Sequence, residues 1–296
     1  MSTPPRDRDR DRDRQRDRTR PPARPLDIPE KALVDTRSDL QARLIVAVPA
    51  VAVALTLVIA GGGIFAAGMF VLGAICLHEL FLMFNGAHPS RLGALIGLAG
   101  LIVAAQLGDQ SNVLMALVAS FPVIFILILL QPKGGAPGVS VTVLGLTWIG
   151  LALAHAVLLR RLPHGEAILI DILVGTFIGD TGAYLGGRAI GRTKLAPRVS
   201  PNKTLEGLGC GIIAAVVAVW CAGLYQDWMS GTDALILGGA VAIMAPIGDL
   251  FESYLKRDAG TKDTGRLFGA HGGALDRLDA VMFTVVTGYY VWLALL

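Results

Sequence analysis

The chain has 296 residues, of which 53% are hydrophobic and only 17% charged, and its mean hydropathy is +0.60. Such a balance excludes an ordinary water-soluble domain and fits a protein that crosses a membrane several times. The net charge of +3 lies entirely in residues 1–43, which hold 12 Lys and Arg against 9 Asp and Glu, so overall charge says little about partners.

Residues 1–42 read as a disordered, cytoplasmic Arg/Asp-rich tail. From Arg6 to Arg20 the two residues nearly alternate, and Pro21, Pro22 and Pro25 follow. Such a stretch has nothing to bury. The alternating Asp cancels most of the pull that Arg would feel toward anionic lipid, which favours a solvated tail over a membrane tether.

Nine apolar segments follow, at about 43–60, 62–84, 92–107, 112–130, 139–159, 166–189, 206–226, 233–254 and 279–296. Runs of about 20 apolar residues span a hydrocarbon core of roughly 30 Å. Ten-residue alternating strands are missing, so the spans are expected to be helices. The expected fold is an all-α polytopic membrane protein of about nine transmembrane helices with a cytoplasmic N-terminus. An eight-span count is the alternative, because the third segment is short. Residues 43–160 form the N-terminal transmembrane helices and 161–296 a catalytic transmembrane region with two cytoplasmic motif loops. Gly61-Gly62-Gly63 marks a tight turn between the first two spans. Lys and Arg set the orientation: with the N-terminus inside, the outer side carries only Arg160 and Arg161. The loops after the sixth and eighth spans then share the cytoplasmic face. Cys76, Cys210 and Cys221 lie in apolar segments without metal-type spacing and read as small core residues.

The second of those loops carries the chemistry. Asp249, Glu252, Ser253 and Lys256 share one helix face at i, i+3, i+4 and i+7, and Asp276 and Asp279 share another at i, i+3. Ionisable side chains at membrane depth mark function by default. Three carboxylates without a His/Cys cluster suit a hard cation with oxygen ligands, Mg²⁺ foremost. Lys256, Arg257, Lys262, Arg266 and Arg277, interspersed with Gly260, Gly265, Gly269, Gly272 and Gly273, suit polyanion binding, because glycine lets backbone N–H groups approach closely. Carboxylates beside a Gly-rich cationic loop point to phosphoryl or nucleotidyl chemistry. A loop that only fixes topology would explain the Lys and Arg but not the three Asp or the paired glycines. His271 sits beside this set and can donate to a phosphate or to a metal-bound water.

The first loop runs from Asp180 to Gly207. Ser200-Pro201 is expected to start a turn, and Thr204 or Asn202 to cap the seventh helix, with Glu206 at its first turn and Lys203 at its N-terminus. Gly186-x₄-Gly191-Arg192-Thr193 approaches a phosphate-loop pattern but ends a membrane helix rather than following a strand. Asn202-Lys203-Thr204 fits a glycosylation acceptor but falls on the cytoplasmic side. Glu79 and Asp171 are acids inside spans. Glu79 reads equally as a packing partner or as part of the polar cavity, and Asp171 as structural.

The run Ser253-x₂-Lys256-Arg257-x₄-Lys262-Asp263-x-Gly265-x₂-Phe268-Gly269-x-His271-Gly272-Gly273-x₂-Asp276-Arg277-Leu278-Asp279 closely resembles the signature of the phosphatidate cytidylyltransferase, or CDP-diacylglycerol synthase, family. Asp180-Thr-Gly-Ala-Tyr184 and Ser200-Pro-x-Lys203-Thr204-x-Glu206-Gly207 resemble that family's second motif. Departures are Ala274 for a larger aliphatic, Gly269-Ala270 for Pro-Gly, and Asn202 and Leu205 for Lys and an aromatic.

The resemblance implies an integral enzyme of a bacterial inner membrane, its site facing the cytoplasm. It would join CTP and phosphatidate into CDP-diacylglycerol and pyrophosphate with Mg²⁺, as a homodimer, without a nucleic-acid partner. Carried over by position, Asp249 and Asp276 would hold the divalent ion, with Asp279 and Ser253 near a second, monovalent cation such as K⁺. Lys256, Arg257, Lys262, Asp263, His271 and Arg277 form the candidate catalytic set. Asp180, Ser200, Lys203, Thr204, Glu206, Gly272 and Gly273 form the candidate substrate-binding set. The rival reading is an ion- or proton-coupled transporter, which needs inverted repeats and charges near the midplane.

Overall fold

The computed structural model describes residues 49–265 and 272–296, all within one compact unit. The tail, Arg266 and His271 lie outside them. Nine helices appear among the described residues: α1 (Pro49–Ala60), α2 (Gly62–Met83), α3 (Arg91–Leu107), α4 (Gln110–Leu129), α5 (Ala136–Arg161), α6 (Gly165–Ile190), α7 (Leu205–Gly223), α8 (Gly231–Asp258) and α9 (Leu275–Leu295). Each overlaps one of the nine apolar segments. Seven are long and apolar enough to cross a membrane; α1 and α3 are shorter.

Local chemistry sets several boundaries. Gly61 and Gly62 both take positive φ, which lets α1 turn into α2 across one non-helical residue. Ser90 starts α3, Asp109 and Asn112 form a capping box on α4, and Ser230 and Asp233 form another on α8. A single π-helical turn, Leu146–Gly150, interrupts α5, the most buried of the seven long helices.

The closest helix pairing is α6 with α7, followed by α8 with α9. Gly175, Gly179, Gly182 and Gly186 of α6 face Gly211, Ala214, Ala215 and Cys210 of α7. A Cβ on Gly179 would sit 3.0 Å from that of Ala215. Helix association in lipid lacks a hydrophobic drive between helices, and such small-residue stripes let backbones approach instead. At Gly248 the α8 backbone meets α9 so closely that a Cβ there would lie 2.6 Å from the carbonyl oxygen of Asp279.

One expectation needs correction. Ser200-Pro201 does not start a turn: Ser200–Thr204 is strand β2, antiparallel to β1 (Lys194–Ala196), and the turn precedes it. The register slips between the Ala196–Ser200 and Lys194–Thr204 pairs. Pro201 falls in that irregularity, where its missing N–H costs no ladder bond.

Arg160 and Arg161, the exceptions to the charge bias, have structural work. Arg160 Nε donates to Val58 O at 2.6 Å and its Nη2 pairs with Glu166 at 2.9 Å. Arg161 Nη1 donates to the carbonyls of Ala105, at 2.6 Å, and Gly108. They cap the C-termini of α1 and α3, whose last carbonyls otherwise have no partner. Nearby, Trp292 Nε1 donates to Pro163 O at 2.8 Å, fastening the end of α9 to the same end of the bundle. Arg161→Ala is expected to destabilise the detergent-solubilised protein by about 1–3 kcal/mol, read as a lowered thermal unfolding midpoint.

Candidate active site

At the opposite end of the bundle, α6, α7 and α8 enclose a cleft of about 500 Å³. Glycine and alanine from all three helices make up much of its apolar wall. Its polar groups are Asp180, Tyr184, Arg188, Asn202, Lys203, Thr204 and Asp249. Pro246 lies on the α8 wall, one turn before Asp249; lacking an N–H, it leaves a carbonyl of the preceding turn without its usual helical partner.

The hairpin is tied down at three points. Thr204, not Asn202, caps α7, its Oγ1 accepting from Gly207 N at 3.1 Å. The Glu206 carboxylate accepts from the N–H groups of Arg192 and Thr193 at 3.0 and 3.1 Å, fixing the exit from α6. Arg257 Nε donates to Val199 O at 3.2 Å, joining the end of α8 to the turn between the strands. So held, Lys203 forms an ion pair with Asp249 at 2.5 Å on the cleft wall, both side chains partly exposed. The hairpin and α8 thus meet through these two side chains. Ser200 lies half-buried in β2.

Deeper between α8 and α9 lies a second group. Lys256 Nζ pairs with Glu252 Oε2 at 2.6 Å and with Asp276 Oδ1 at 2.9 Å. The Lys256 side chain is 14% exposed and that of Glu252 is fully buried. Asp276 Oδ2 also accepts from Gly273 N at 2.7 Å and Thr264 N at 3.0 Å. Gly272 takes φ +81° there, a conformation a side chain rarely adopts. Lys256 therefore bridges α8 and α9. Lys262 and Asp263 are exposed just beyond α8, and Arg277 is exposed on the first turn of α9.

The metal candidates divide. Asp249 lies on the cleft, and Ser253 Oγ makes a long bond of 3.4 Å to it. Asp279 sits where α9 crosses α8 at Gly248, its Oδ1 accepting from Ala280 N. Glu252 Oε1 is buried without a hydrogen-bond partner among the described residues. These are oxygen donors only, which fits a hard cation. Asp276 fits less directly, because Lys256 and two backbone N–H groups occupy its oxygens. Among the described residues no three acidic, His or Cys side chains converge on one point.

The sequence places Glu252 on the same face as Lys256 but assigns it no role, although the i, i+4 spacing of the two is a signal for the pairing; Thr264 gives no sequence signal and is missed. Asp171 accepts from Gln226 Nε2 at 2.9 and 3.1 Å, a structural pairing. Glu79 hydrogen-bonds the segment that leads into α9, with Ala274 N at 3.0 Å and Leu275 N at 2.9 Å.

Residues 41–295 match the model of the cytidylyltransferase family. The chain is 33% identical over 294 residues to a phosphatidate cytidylyltransferase of Synechocystis, covering 86% of this chain and 97% of that protein. A phosphatidate cytidylyltransferase of Bacillus subtilis is 29% identical over 266 residues, with coverage of 86% and 97%. An Escherichia coli protein described only as uncharacterized, YnbB, is 38% identical over 165 residues; there the chain spans about half of the relative's length, 55%.

Replacing Lys256 by Met strands the buried Glu252 carboxylate, removes the cation from the part-buried Asp276, and is expected to cost about 3–5 kcal/mol of stability. Lys262→Met, at an exposed position, should cost less than about 0.5 kcal/mol. Denaturant unfolding of both in the same detergent checks the contrast.

Proposed function

The chain belongs to the cytidylyltransferase family, and from that premise we propose that it transfers the cytidylyl group of CTP to phosphatidate, releasing CDP-diacylglycerol and pyrophosphate. The observation that carries this reading is the junction of Lys203 with Asp249 at the polar end of a membrane-embedded, small-residue cleft. A phosphate oxygen of phosphatidate attacks the α-phosphorus of CTP; the bond from that phosphorus to the bridging oxygen breaks, and pyrophosphate leaves. The nucleophile is already an anion, so no strong general base is required. The obstacle is repulsion between two polyanions, which cations and fixed geometry reduce.

Lys203, Arg188 and Arg257 surround or adjoin the cleft mouth and supply positive charge for the phosphates, with Lys262 just beyond α8 and Arg277 on the first turn of α9. Asp249 and Asp276, with Asp279 and Ser253 alongside, are the residues that would hold Mg²⁺ and a second, monovalent cation. Mg²⁺ supplies charge neutralisation on the phosphates. For Asp276 to take part, Lys256 must yield one of its oxygens. The buried Glu252 gives Lys256 a second anchor when it does.

This reading includes nine spans, a cytoplasmic N-terminus, an inner-membrane location and a homodimer. Lys and Arg concentrate at the end of the bundle that holds the cleft, which supports placing that end in the cytoplasm. CTP then enters from water while acyl chains stay among lipids. Outward apolar side chains such as Leu114, Phe125, Ile213 and Val217 suit lipid or a second copy. Charges gathered at one end of the bundle do not favour transport, which needs them at mid-depth.

Purified protein in liposomes with labelled CTP, phosphatidate and Mg²⁺ should form CDP-diacylglycerol. Absence of product with every divalent ion tried defeats the reading. Asp249→Asn and Asp276→Asn should each lower kcat by at least about 100-fold while the protein elutes as wild type. Wild-type turnover in either would remove that residue from the metal assignment.

A further inference from the structure

We infer that Glu79, from the N-terminal helices, is a positioning residue for Asp276: its carboxylate ties Thr264 to the start of α9. The inference rests on the function proposed above for what Asp276 serves, but not for the grip itself.

Glu79 stands in the last turns of α2 with 4% of its surface exposed. A carboxylate so placed is costly unless its oxygens are hydrogen-bonded. The bonds go to one short stretch of chain. Oε1 accepts from Ala274 N at 3.0 Å, Oε2 from Leu275 N at 2.9 Å, and Thr264 Oγ1 donates to Oε2 over a longer 3.4 Å. Ala274 occupies the N-cap of α9 and has no side chain able to cap it. Glu79 performs that role from a helix almost two hundred positions away, and its negative charge suits the positive end of the α9 dipole.

Asp276 works the same backbone from the other side. Thr264 gives its N–H to Asp276 and its hydroxyl to Glu79, while Gly273 gives its N–H to Asp276 and the next two N–H groups go to Glu79. Two carboxylates therefore share one clamp. Gly265 and Gly273 complete it. A Cβ at Gly265 would lie 2.6 Å from Glu79 Oε1, and one at Gly273 would collide with the same carboxylate. Part of the loop's glycine content thus serves Glu79 rather than a bound phosphate. Without Glu79 the first turn of α9 loses its cap, and Asp276, one residue beyond Leu275, loses its fixed aim.

The full-length chain, purified in detergent, tests this with Glu79→Gln. The amide keeps the shape but sets an NH₂ group against backbone donors. Hydrogen exchange in a peptide spanning 272–278 should quicken by about tenfold or more, with α6–α7 peptides unchanged. For CDP-diacylglycerol formation kcat should fall about tenfold while the KM for CTP stays within about twofold. Wild-type exchange in that peptide overturns the clamp. Unchanged kcat, or a raised KM with unchanged kcat, overturns the positioning role. If wild-type protein makes no liponucleotide, the functional reading fails while the exchange measurement still decides the clamp. A second pair covers misfolding of Glu79→Gln. Gly273→Ala should lose activity, and adding Glu79→Asp, which withdraws the carboxylate by one methylene, should restore about fivefold or more. No restoration means that Gly273 does not face Glu79 in the working enzyme and overturns the proposal.

Discussion

A lysine ammonium held between two carboxylates organises the cleft end of this bundle. Lys256 bridges Glu252 on its own helix and Asp276 on the next, and neither carboxylate is freely hydrated. Each ion would be very costly alone at that depth, and together they are tolerable only in a narrow geometry. That requirement fixes how α8 and α9 lie along one another. The contact at Gly248 then sets Asp249 and Asp279 on adjoining surfaces, and Asp249 in turn receives Lys203 from the hairpin. A chain of opposite charges leads from the buried pair to the open cleft.

The cleft owes its form to a different constraint. The α6–α7 stripe brings two backbones close enough that side chains cannot fill the space beside them, and the void runs along that seam to α8. The result is an apolar trough with charge only at one end, suited to a molecule with the same asymmetry. The hairpin closes the charged end without covering it, because Glu206, Thr204 and Arg257 pin it from three sides.

Much of this is legible in the amino-acid sequence. The apolar segments mark the nine helices because lipid leaves the backbone little alternative. Parity of the spans already brought the two polar loops to one end, where Lys203 and Asp249 meet. Legibility failed where long-range partners decide a residue's task. The sequence places Lys256 among several cations, and only the fold shows that it bridges Glu252 and Asp276. Arg160 and Arg161 read as topological charge, although their task is to cap α1 and α3. Ser200-Pro201 reads as a turn, since a Pro in a strand is tolerated only at an irregular register that sequence does not disclose. Glu79 stood open between two roles, and only the fold reveals that its ligands are backbone amides of a distant loop. His271 and the tail lie outside the described residues and stand as sequence expectations.

The reach of Glu79 bears on the order of assembly. α2 is synthesised and inserted long before α9 exists, so for most of translation its carboxylate lies in a growing bundle without the amides that later hold it. Until the last helix arrives, that acid must stay neutral, wet or shielded by other groups. The same delay means that a partly made chain holds the cleft-forming helices but not a fixed Asp276. On the function proposed above, catalytic competence would thereby be reserved for the finished molecule.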